Sequence, residues 1–387
     1  MSRANDIYNY SRSIERELGN LRSDVNYRTI KDYFNQRMAT GISPARQYKC
    51  INTLKLVSRM LKKRFKKAAK KDMIELLAEL EKKPFSAWTK RDYKIIIKKF
   101  YQWLYGHETG EYPDVVKWIR PGFKMQNLLK KSDLLTADEI KRLAESARTL
   151  RDRAFILVLA ESGRRVGEIL TLRIGDIEFD NLGARLLVDG KTGRDYVRIM
   201  SSAPMLATWL DNHPRRHDPT SPMWVGPERY GVQQISYTCA RKILKDCATR
   251  AKLTKRVWFH LFRHTRGTEA STKLNSQQLC ALMGWRQGSD MPSVYIHLSG
   301  EDIDMAQAVM NGVHVEKEDK SKLEFRICDR CEYKNSFVSK FCNKCGLCLD
   351  LKTAFQLDQT RNKIDVLFEK LTEDPEKLEK VMKILQQ

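Results

Sequence analysis

The sequence has no long hydrophobic segment. No apolar run approaches the roughly 20 residues that a helix needs to span a bilayer. The N-terminus also lacks the charged-then-apolar pattern of a secretory signal, and no internal repeat is present. These absences predict a soluble, cytoplasmic protein without a membrane partner.

Acidic residues are scarce relative to basic ones. The 387 residues include 48 Asp and Glu against 71 Lys and Arg, which gives a net charge of +23. Such an excess favours a polyanionic partner, because phosphate groups attract Lys and Arg. Nucleic acid is the first expectation, and an anionic membrane surface is the weaker alternative.

Cysteine is sparse outside one segment. Four of the nine cysteines are scattered, as reduced buried thiols usually are, and five crowd into residues 325–350. Two CxxC pairs lie ten residues apart there, formed by Cys328, Cys331, Cys342 and Cys345. Each pair can present two thiolates to one tetrahedral ion, so the spacing predicts a zinc ribbon. The zinc is expected to be structural, since four sulfur ligands leave no position for water. Accidental reduced cysteines are the alternative.

The predicted fold class is mainly α with a small β-sheet (α+β). Apolar residues recur at helical spacing through most of the chain. A capping box of Thr136 and Glu139 begins a second domain, and within it Gly163 ends a helix. A hairpin is predicted from segments 184–189 and 196–200. The expected divisions are a helical DNA-binding bundle at 1–118, a linker at 119–133, a catalytic domain at 134–312, a zinc ribbon at 323–350 and an amphipathic helical tail at 351–387.

The helical bundle contains a dense basic run. Seven of the eleven residues 61–71 are basic and none is acidic. The seven are Lys62, Lys63, Arg64, Lys66, Lys67, Lys70 and Lys71. The run predicts a surface that contacts phosphates, and a solvated helix face is the alternative.

Three residues of the second domain suit an attack on a phosphodiester. Tyr295 can attack as a phenoxide and retain the strand end as a covalent ester. Arg165 and Arg263 offer planar guanidinium groups that match two phosphate oxygens and stabilise the charge that develops there. Taken singly, Arg165 could instead be an ion-pair partner of Glu168, and Tyr295 a buried aromatic residue.

Three further residues complete this set. Lys191, in the predicted hairpin turn, can protonate the leaving 5′ oxygen, and His260 can serve as an acid, a base or a phosphate donor. Trp285 offers an indole N–H and an apolar wall. The alternatives are an exposed turn lysine and a core histidine, but the ordered set as a whole favours a catalytic site.

In their order along the chain, these residues resemble the motifs of the tyrosine recombinases, also called phage-type integrases. The matching segments are Gly163–Leu170 for the first arginine box, Gly190-Lys191 for the hairpin lysine, His260–Thr265 for the His-x-x-Arg-His box, Leu282–Trp285 for the Leu-x-Gly-His/Trp box and Tyr295-Ile296-His297 for the nucleophile motif. By this resemblance Arg165, three residues before Glu168, is the catalytic arginine, and Arg164 is not. The resemblance covers residues 1–312, and the zinc segment lies outside the family core.

The resemblance implies a site-specific DNA recombinase. Tyr295 would form a 3′-phosphotyrosyl bond with double-stranded DNA and release a 5′-hydroxyl, with no need for ATP or a catalytic metal. It also implies a homotetramer on paired sites and a nucleoid-associated location. A type IB topoisomerase-like DNA-relaxing enzyme and a non-catalytic DNA-binding regulator remain the alternatives.

Overall fold

The computed structural model describes residues 7–122, 129–190, 193–227, 231–296, 307, 310–311 and 325–372. The chain divides into two compact units, with the boundary between residues 128 and 129. Helices dominate both units, and the described strands form two small antiparallel sheets in the second unit. The predicted α+β class is therefore confirmed. No helix among the described residues is long and apolar enough to cross a membrane.

The first unit is a helical bundle. Its helices are α1 (Tyr10–Asn20), α2 (Tyr27–Ala39), α3 (Pro44–Leu61), α4 (Lys70–Lys82), α5 (Ala87–Leu104) and α6 (Asp114–Lys117). Phe100 of α5 lies in the middle of the core, with its ring edge-on to Tyr33 at 5.3 Å and to Phe65 at 4.8 Å between centroids. Aromatic pairs in this geometry stabilise a core beyond the area that they bury.

The basic run connects α3 to α4 and does not form one helix face. Lys62 ends α3 in the left-handed conformation (φ 53°), and a single 3-10 turn follows at Phe65–Lys67. Asn26 holds the connection from inside, because its amide donates to the carbonyl of Lys63 (3.0 Å) and its Oδ1 accepts from the backbone N–H of Phe65 (2.9 Å). The alternative of a solvated helix face therefore does not describe this run, and its predicted contact with phosphates stays a prediction.

All seven basic side chains of this connection are exposed around the buried ring of Phe65. One of them, Lys63, donates to Asp72 at 2.7 Å, although the run itself contains no acidic residue. An exposed pair of this kind contributes little to stability. The surface of the connection therefore remains strongly basic.

The second unit holds the remaining elements. Its helices are α7 (Ala137–Glu145), α8 (Leu150–Ser162), α9 (Val166–Leu170), α10 (Ala203–Asp211), α11 (Tyr237–Arg250), α12 (Phe259–Ser271), α13 (Ser276–Met283), α14 (Met291–Ile296) and α15 (Leu351–Thr372). Its strands are β1 (Ile177–Asp180), β2 (Gly183–Gly190), β3 (Gly193–Ile199), β4 (Arg326–Ile327) and β5 (Lys334–Asn335). The three-stranded sheet has the order β1-β2-β3, with Gly190 paired to Gly193 at the tip of the hairpin.

Helix α8 is the centre of this unit. Every residue from Ala154 to Ala160 is buried, and α7, α10 and α12 pack against it. A helical segment that is apolar on every side is typical of the interior of a protein. Gly163 ends α8 in the left-handed conformation (φ 60°), as the sequence predicted, and the chain then enters the candidate site.

Candidate active site and metal centre

Arg165 and Glu168 form a pair at the start of α9. Nη1 of Arg165 donates to Oε1 of Glu168 at 2.8 Å, and the backbone N–H of Arg165 donates to Oε2 at 3.2 Å. Glu168 thus caps the N-terminus of α9 and orients the arginine. The carboxylate is buried, but the Arg165 side chain stays 34% exposed. The ion pair considered from sequence exists, and it leaves part of the guanidinium open to solvent.

Arg263 lies on α12 and is buried. Nη1 donates to the carbonyl of Gly163 (3.0 Å) and Nη2 to the carbonyl of Met283 (2.7 Å), which ties the end of α8 to the end of α13. The guanidinium also lies over the Trp285 ring, 5.3 Å from its centroid. Burial, and then the nearby charge of Arg165, lower the pKa of Arg263 to about 10. It remains a cation at neutral pH, with a fixed orientation.

Two histidines follow one turn apart on α12. The rings of His260 and His264 are 6.2 Å apart, and part of the His260 ring is exposed. Desolvation lowers the pKa of both; the charges of Arg263 and Arg165 also lower that of His260. Both side chains are therefore neutral near pH 7 and able to accept a proton.

Tyr295 on α14 is almost fully buried, with 1% of its surface exposed. Its hydroxyl lies 3.1 Å from Nδ1 of His264, and its ring stacks on Trp285 with 5.1 Å between centroids. The ring also fills a slot at Gly267, where a Cβ would lie 2.8 Å from Cε1. Burial raises the pKa of Tyr295, and Arg263 and Arg165 partly oppose the rise.

The structure brings together five of the six residues predicted for catalysis. Arg263 lies over Trp285, and Trp285 stacks on Tyr295. The Tyr295 hydroxyl lies 3.1 Å from His264, whose ring is 6.2 Å from that of His260. Arg165 follows two residues after Gly163, whose carbonyl Arg263 binds, and its charge lowers the pKa of Arg263 and His260. Two cations, two neutral histidines and a phenol in one place can hold a phosphate diester and exchange a proton with it.

The sixth residue, Lys191, lies outside the described residues. The hairpin that carries it is described up to Gly190, where a Cβ would lie 2.9 Å from Oε1 of Glu168. The hairpin tip therefore begins beside the Arg165–Glu168 pair.

Sequence reasoning gave no role to His264, the hydrogen-bond partner of the Tyr295 hydroxyl. The available signal was its position four residues after His260, which places both on one side of a helix.

The four predicted zinc ligands converge. The sulfur atoms of Cys328, Cys331, Cys342 and Cys345 all lie within 4.8 Å of one another. Each pair sits in a tight turn whose next residue has a positive φ: 55° at Glu332 and 74° at Gly346. Four thiols at this separation fit one tetrahedral metal ion. The fifth, Cys348, is turned elsewhere and donates to the carbonyl of Asp350 at 3.4 Å.

A buried asparagine supports the ribbon, and a second one joins it to the rest of the unit. Oδ1 of Asn335 accepts from the backbone N–H of Asn343 at 2.9 Å, inside the second cysteine turn. The side-chain amide of Asn343 donates to Oγ1 of Thr208 on α10 at 2.8 Å. The cysteine turn therefore contacts a helix that packs directly on α8.

Comparisons with known proteins agree with the sequence motifs. Residues 133–301 match the model of the phage integrase family. Tyrosine recombinase XerA of Pyrococcus furiosus is 33% identical over 148 residues, which are 38% of this chain and 49% of that protein. XerA of Pyrococcus horikoshii is 29% identical over 199 residues, which are 46% of this chain and 66% of that protein. The chain thus spans about half of the first relative and about two thirds of the second.

Solved structures share the fold. A lambda integrase dimer bound to a COC′ core site superposes with a TM-score of 0.57 at 15% identity, covering 76% of this chain and 80% of that one. XerH recombinase bound to a palindromic difH substrate, in a post-cleavage complex, gives a TM-score of 0.53 at 16% identity, covering 80% and 97%. Residues 133–301, which contain the clustered site residues, thus match the model of the phage integrase family, and the chain shares its fold with these recombinases.

Proposed function

We propose that the protein is a site-specific DNA recombinase that cuts and rejoins DNA through Tyr295. The observation that carries the proposal is the cluster of Arg165, His260 and Arg263 with a buried tyrosine, inside a domain of the phage integrase family. A protein that only bound DNA would need no such phenol beside two arginines and two neutral histidines.

In the proposed reaction, the phenolic oxygen of Tyr295 attacks the phosphorus and its proton passes to a neutral histidine, for which His260 is the candidate. The bond from phosphorus to the 5′ oxygen breaks, and Lys191 supplies the proton that makes the leaving group a hydroxyl. Arg165 and Arg263 stabilise the charge on the non-bridging oxygens. The energy of the bond stays in the 3′-phosphotyrosyl ester, so reversal by another 5′-hydroxyl needs neither ATP nor a catalytic metal.

The nucleophile must move before it attacks. In the described state the Tyr295 ring fills the slot at Gly267 and its hydroxyl is bonded to His264. DNA binding is expected to draw α14 out of this position and expose the hydroxyl to a phosphate held by the arginines.

Double-stranded DNA is the proposed partner. Residues 1–118 would be the core-binding domain, with the seven exposed basic residues of the α3–α4 connection on phosphates, and 134–312 the catalytic domain. A homotetramer on two sites would exchange strands through a Holliday junction. One structural neighbour is a lambda integrase tetramer bound to such a junction.

For the four cysteines we propose one structural zinc ion per chain. A ribbon at 323–350 is too small to bury a sufficient core, so metal binding would supply the free energy for its folding. The zinc has no proposed part in the chemistry, because the four thiolates would complete its tetrahedral shell. Residues 351–387 would form the amphipathic tail.

The test is covalent trapping on a nicked suicide duplex, from which the freed short strand diffuses away. The Tyr295→Phe variant is expected to bind DNA but form no adduct, because the ring still packs and the hydroxyl is gone. Tyr196→Phe, at an exposed tyrosine of the same unit, is the matched control and should form the adduct. An adduct with Tyr295→Phe would assign the attack to another residue. No adduct with the unmodified protein would favour the non-catalytic regulator.

A second assay separates recombinase from topoisomerase. Two copies of a cleaved site are placed on linear DNA fragments of different length, and recombinant fragments are scored. Exchange of flanks supports the recombinase, whereas relaxation of supercoils without exchange would favour the topoisomerase-like alternative.

A further inference from the structure

One face of α12 holds the tyrosine of α14. His264, Gly267 and Ser271 follow one another at intervals of three and four residues, which places them on the same side of the helix. Each of them contacts a different part of Tyr295. Nδ1 of His264 lies 3.1 Å from the hydroxyl, Gly267 leaves the space that the ring fills, and Oγ of Ser271 lies 3.4 Å from the backbone carbonyl.

Helix α14 is retained mainly through this tyrosine. It has six residues, and a helix of this length is marginal unless it packs against something. Among residues 291–295, Pro292 and Tyr295 are the buried ones, whereas Met291 and Ser293 are exposed. The position of α14 therefore depends on how firmly the berth on α12 holds Tyr295.

The retained tyrosine cannot attack a phosphate. A nucleophile has to come within about 3–3.5 Å of the reacting atom. Only 1% of Tyr295 is exposed, and its ring is stacked on Trp285, so a DNA phosphate has no access to the hydroxyl. The hydrogen bond to His264 belongs to this inaccessible position and stabilises it.

We propose that His264 is a latch for the nucleophile, a side chain whose hydrogen bond keeps Tyr295 withdrawn until DNA is bound. The bond shifts the equilibrium of α14 toward the buried state and so reduces the fraction of protein that has a reactive hydroxyl. The inference rests on the proposed function and adds a regulatory contact to its site. His264 takes no part in the proton transfer, for which His260 stays the candidate.

Substitutions on both sides of the bond separate it from the packing around it. His264→Phe keeps an aromatic ring beside Tyr295, whose ring centroid is 5.7 Å away, but removes the nitrogen. His264→Asn places a side-chain amide at about the position of Nδ1, and an amide can donate or accept. Tyr295→Phe removes the hydroxyl instead. His217→Phe, at an exposed histidine of the same unit, is the matched control.

The first measurement is amide hydrogen exchange of residues 291–296 in the full chain without DNA, which reports how often α14 opens. One hydrogen bond changes such an equilibrium by about 2- to 10-fold, so His264→Phe and Tyr295→Phe should each speed this exchange by that factor. The double variant should exchange no faster than either single variant, because both remove the same bond. His264→Asn and His217→Phe should match the unmodified protein, and exchange of the buried helix α8 should stay unchanged throughout.

The second measurement is the rate of adduct formation on the suicide duplex. DNA is kept well below saturation, where the rate depends on the fraction of protein in the competent state. His264→Phe should form the adduct about 2- to 10-fold faster than the unmodified protein, because its tyrosine is released more often. His264→Asn and His217→Phe should keep the unmodified rate.

Slower adduct formation by His264→Phe would overturn the latch and make His264 a chemical partner of the nucleophile. An unchanged rate, or equal acceleration by Asn and Phe, would also overturn it, because the hydrogen bond would then not be what restrains Tyr295. Additive exchange effects in the double variant would show that the two side chains act separately, against the proposal. An unmodified protein that forms no adduct, while the exchange results are as expected, would refute the proposed function and leave the bond as the contact that holds α14.

Discussion

Removal of Arg263 should cost both stability and cleavage. The side chain bridges the carbonyls of Gly163 and Met283 and lies over Trp285. Arg263→Ala would leave two buried carbonyls without this donor and detach the end of α8 from the end of α13. We therefore expect a variant that is less stable as well as inactive.

The magnitude follows from these contacts. Hydrogen bonds to a charged group contribute about 1.5–3 kcal/mol each, so the two bonds are worth about 3–6 kcal/mol in the free energy of unfolding. The cation over the indole adds about 0.5–2 kcal/mol. In a unit of this size a loss of 1 kcal/mol lowers the melting temperature by about 2–4 °C, so a fall on the order of 10 °C is expected. Loss of one charge donor to the reacting phosphate should lower cleavage by on the order of 10²-fold or more.

Arg165→Lys is the comparison variant for Arg263→Ala, because it should affect cleavage but not stability. A lysine can still pair with Glu168, so the melting temperature should stay near that of the unmodified protein, but it lacks the planar pair of donors that fits two phosphate oxygens. Melting is followed by circular dichroism, and cleavage by adduct formation on the suicide duplex at a temperature where both variants are folded. An Arg263→Ala protein that melts like the unmodified one would refute the bridging role.

Three further predictions concern the basic connection, the metal centre and a buried histidine. Replacing Lys62, Lys63, Lys66 and Lys67 with Gln should reduce the slope of log DNA affinity against log salt, because fewer counterions are released. An unchanged slope would show that these side chains face solvent and do not contact DNA. Metal analysis should find one zinc per chain, lost in Cys328→Ser, while Tyr295 still forms its adduct on short DNA; protein purified without chelator and free of zinc would contradict the site. Both ring nitrogens of the buried His213 have hydrogen-bond partners: Nδ1 accepts from the backbone N–H of Arg215, and Nε2 lies 3.1 Å from the carbonyl of Pro222. Burial lowers the pKa of His213. The neutral ring therefore contributes to stability at pH values above the usual histidine pKa of about 6.5, and this contribution is lost as the pH falls. Denaturant unfolding at pH 7 and at pH 5 should show that the free energy of unfolding falls less between these pH values in His213→Gln than in the unmodified protein.

Local chemistry made parts of the second unit predictable. The hydroxyl of Thr136 accepts from the backbone N–H of Glu139 at 3.2 Å, and the Glu139 carboxylate accepts from the backbone N–H of Thr136 at 2.8 Å. This confirms the predicted capping box. Gly163 ends α8 as expected because only a glycine takes the left-handed conformation without strain. In both cases two or three adjacent residues decide the structure.

Features set by distant residues could not be predicted. Strand β3 begins at Gly193, three residues before the predicted start, because Arg194 and Asp195 pair with β2 although they lack an apolar alternation. The course of the basic connection depends on Asn26, whose place 37 residues before Lys63 gives no sequence signal. Burial of Tyr295 likewise depends on Gly267 of α12 and on Trp285, which follows α13.

Composition could not decide which of the adjacent residues Arg164 and Arg165 belongs to the candidate site, but their spacing to Glu168 could. Both residues are arginine, and both follow the same glycine. The spacing of three residues to Glu168 favoured Arg165, and the structure has Arg165 on that carboxylate, partly exposed beside His260 and Arg263. Its backbone is extended (φ −66°, ψ 142°), and successive side chains of an extended chain point to opposite sides. Arg164 accordingly points away, between β3 and α13, where its Nη2 donates to Oδ2 of Asp195 at 2.6 Å and to the carbonyl of Ala281 at 3.2 Å. The two adjacent guanidinium groups therefore have different surroundings, one partly exposed at the candidate site and one buried between two elements, which the sequence alone did not reveal.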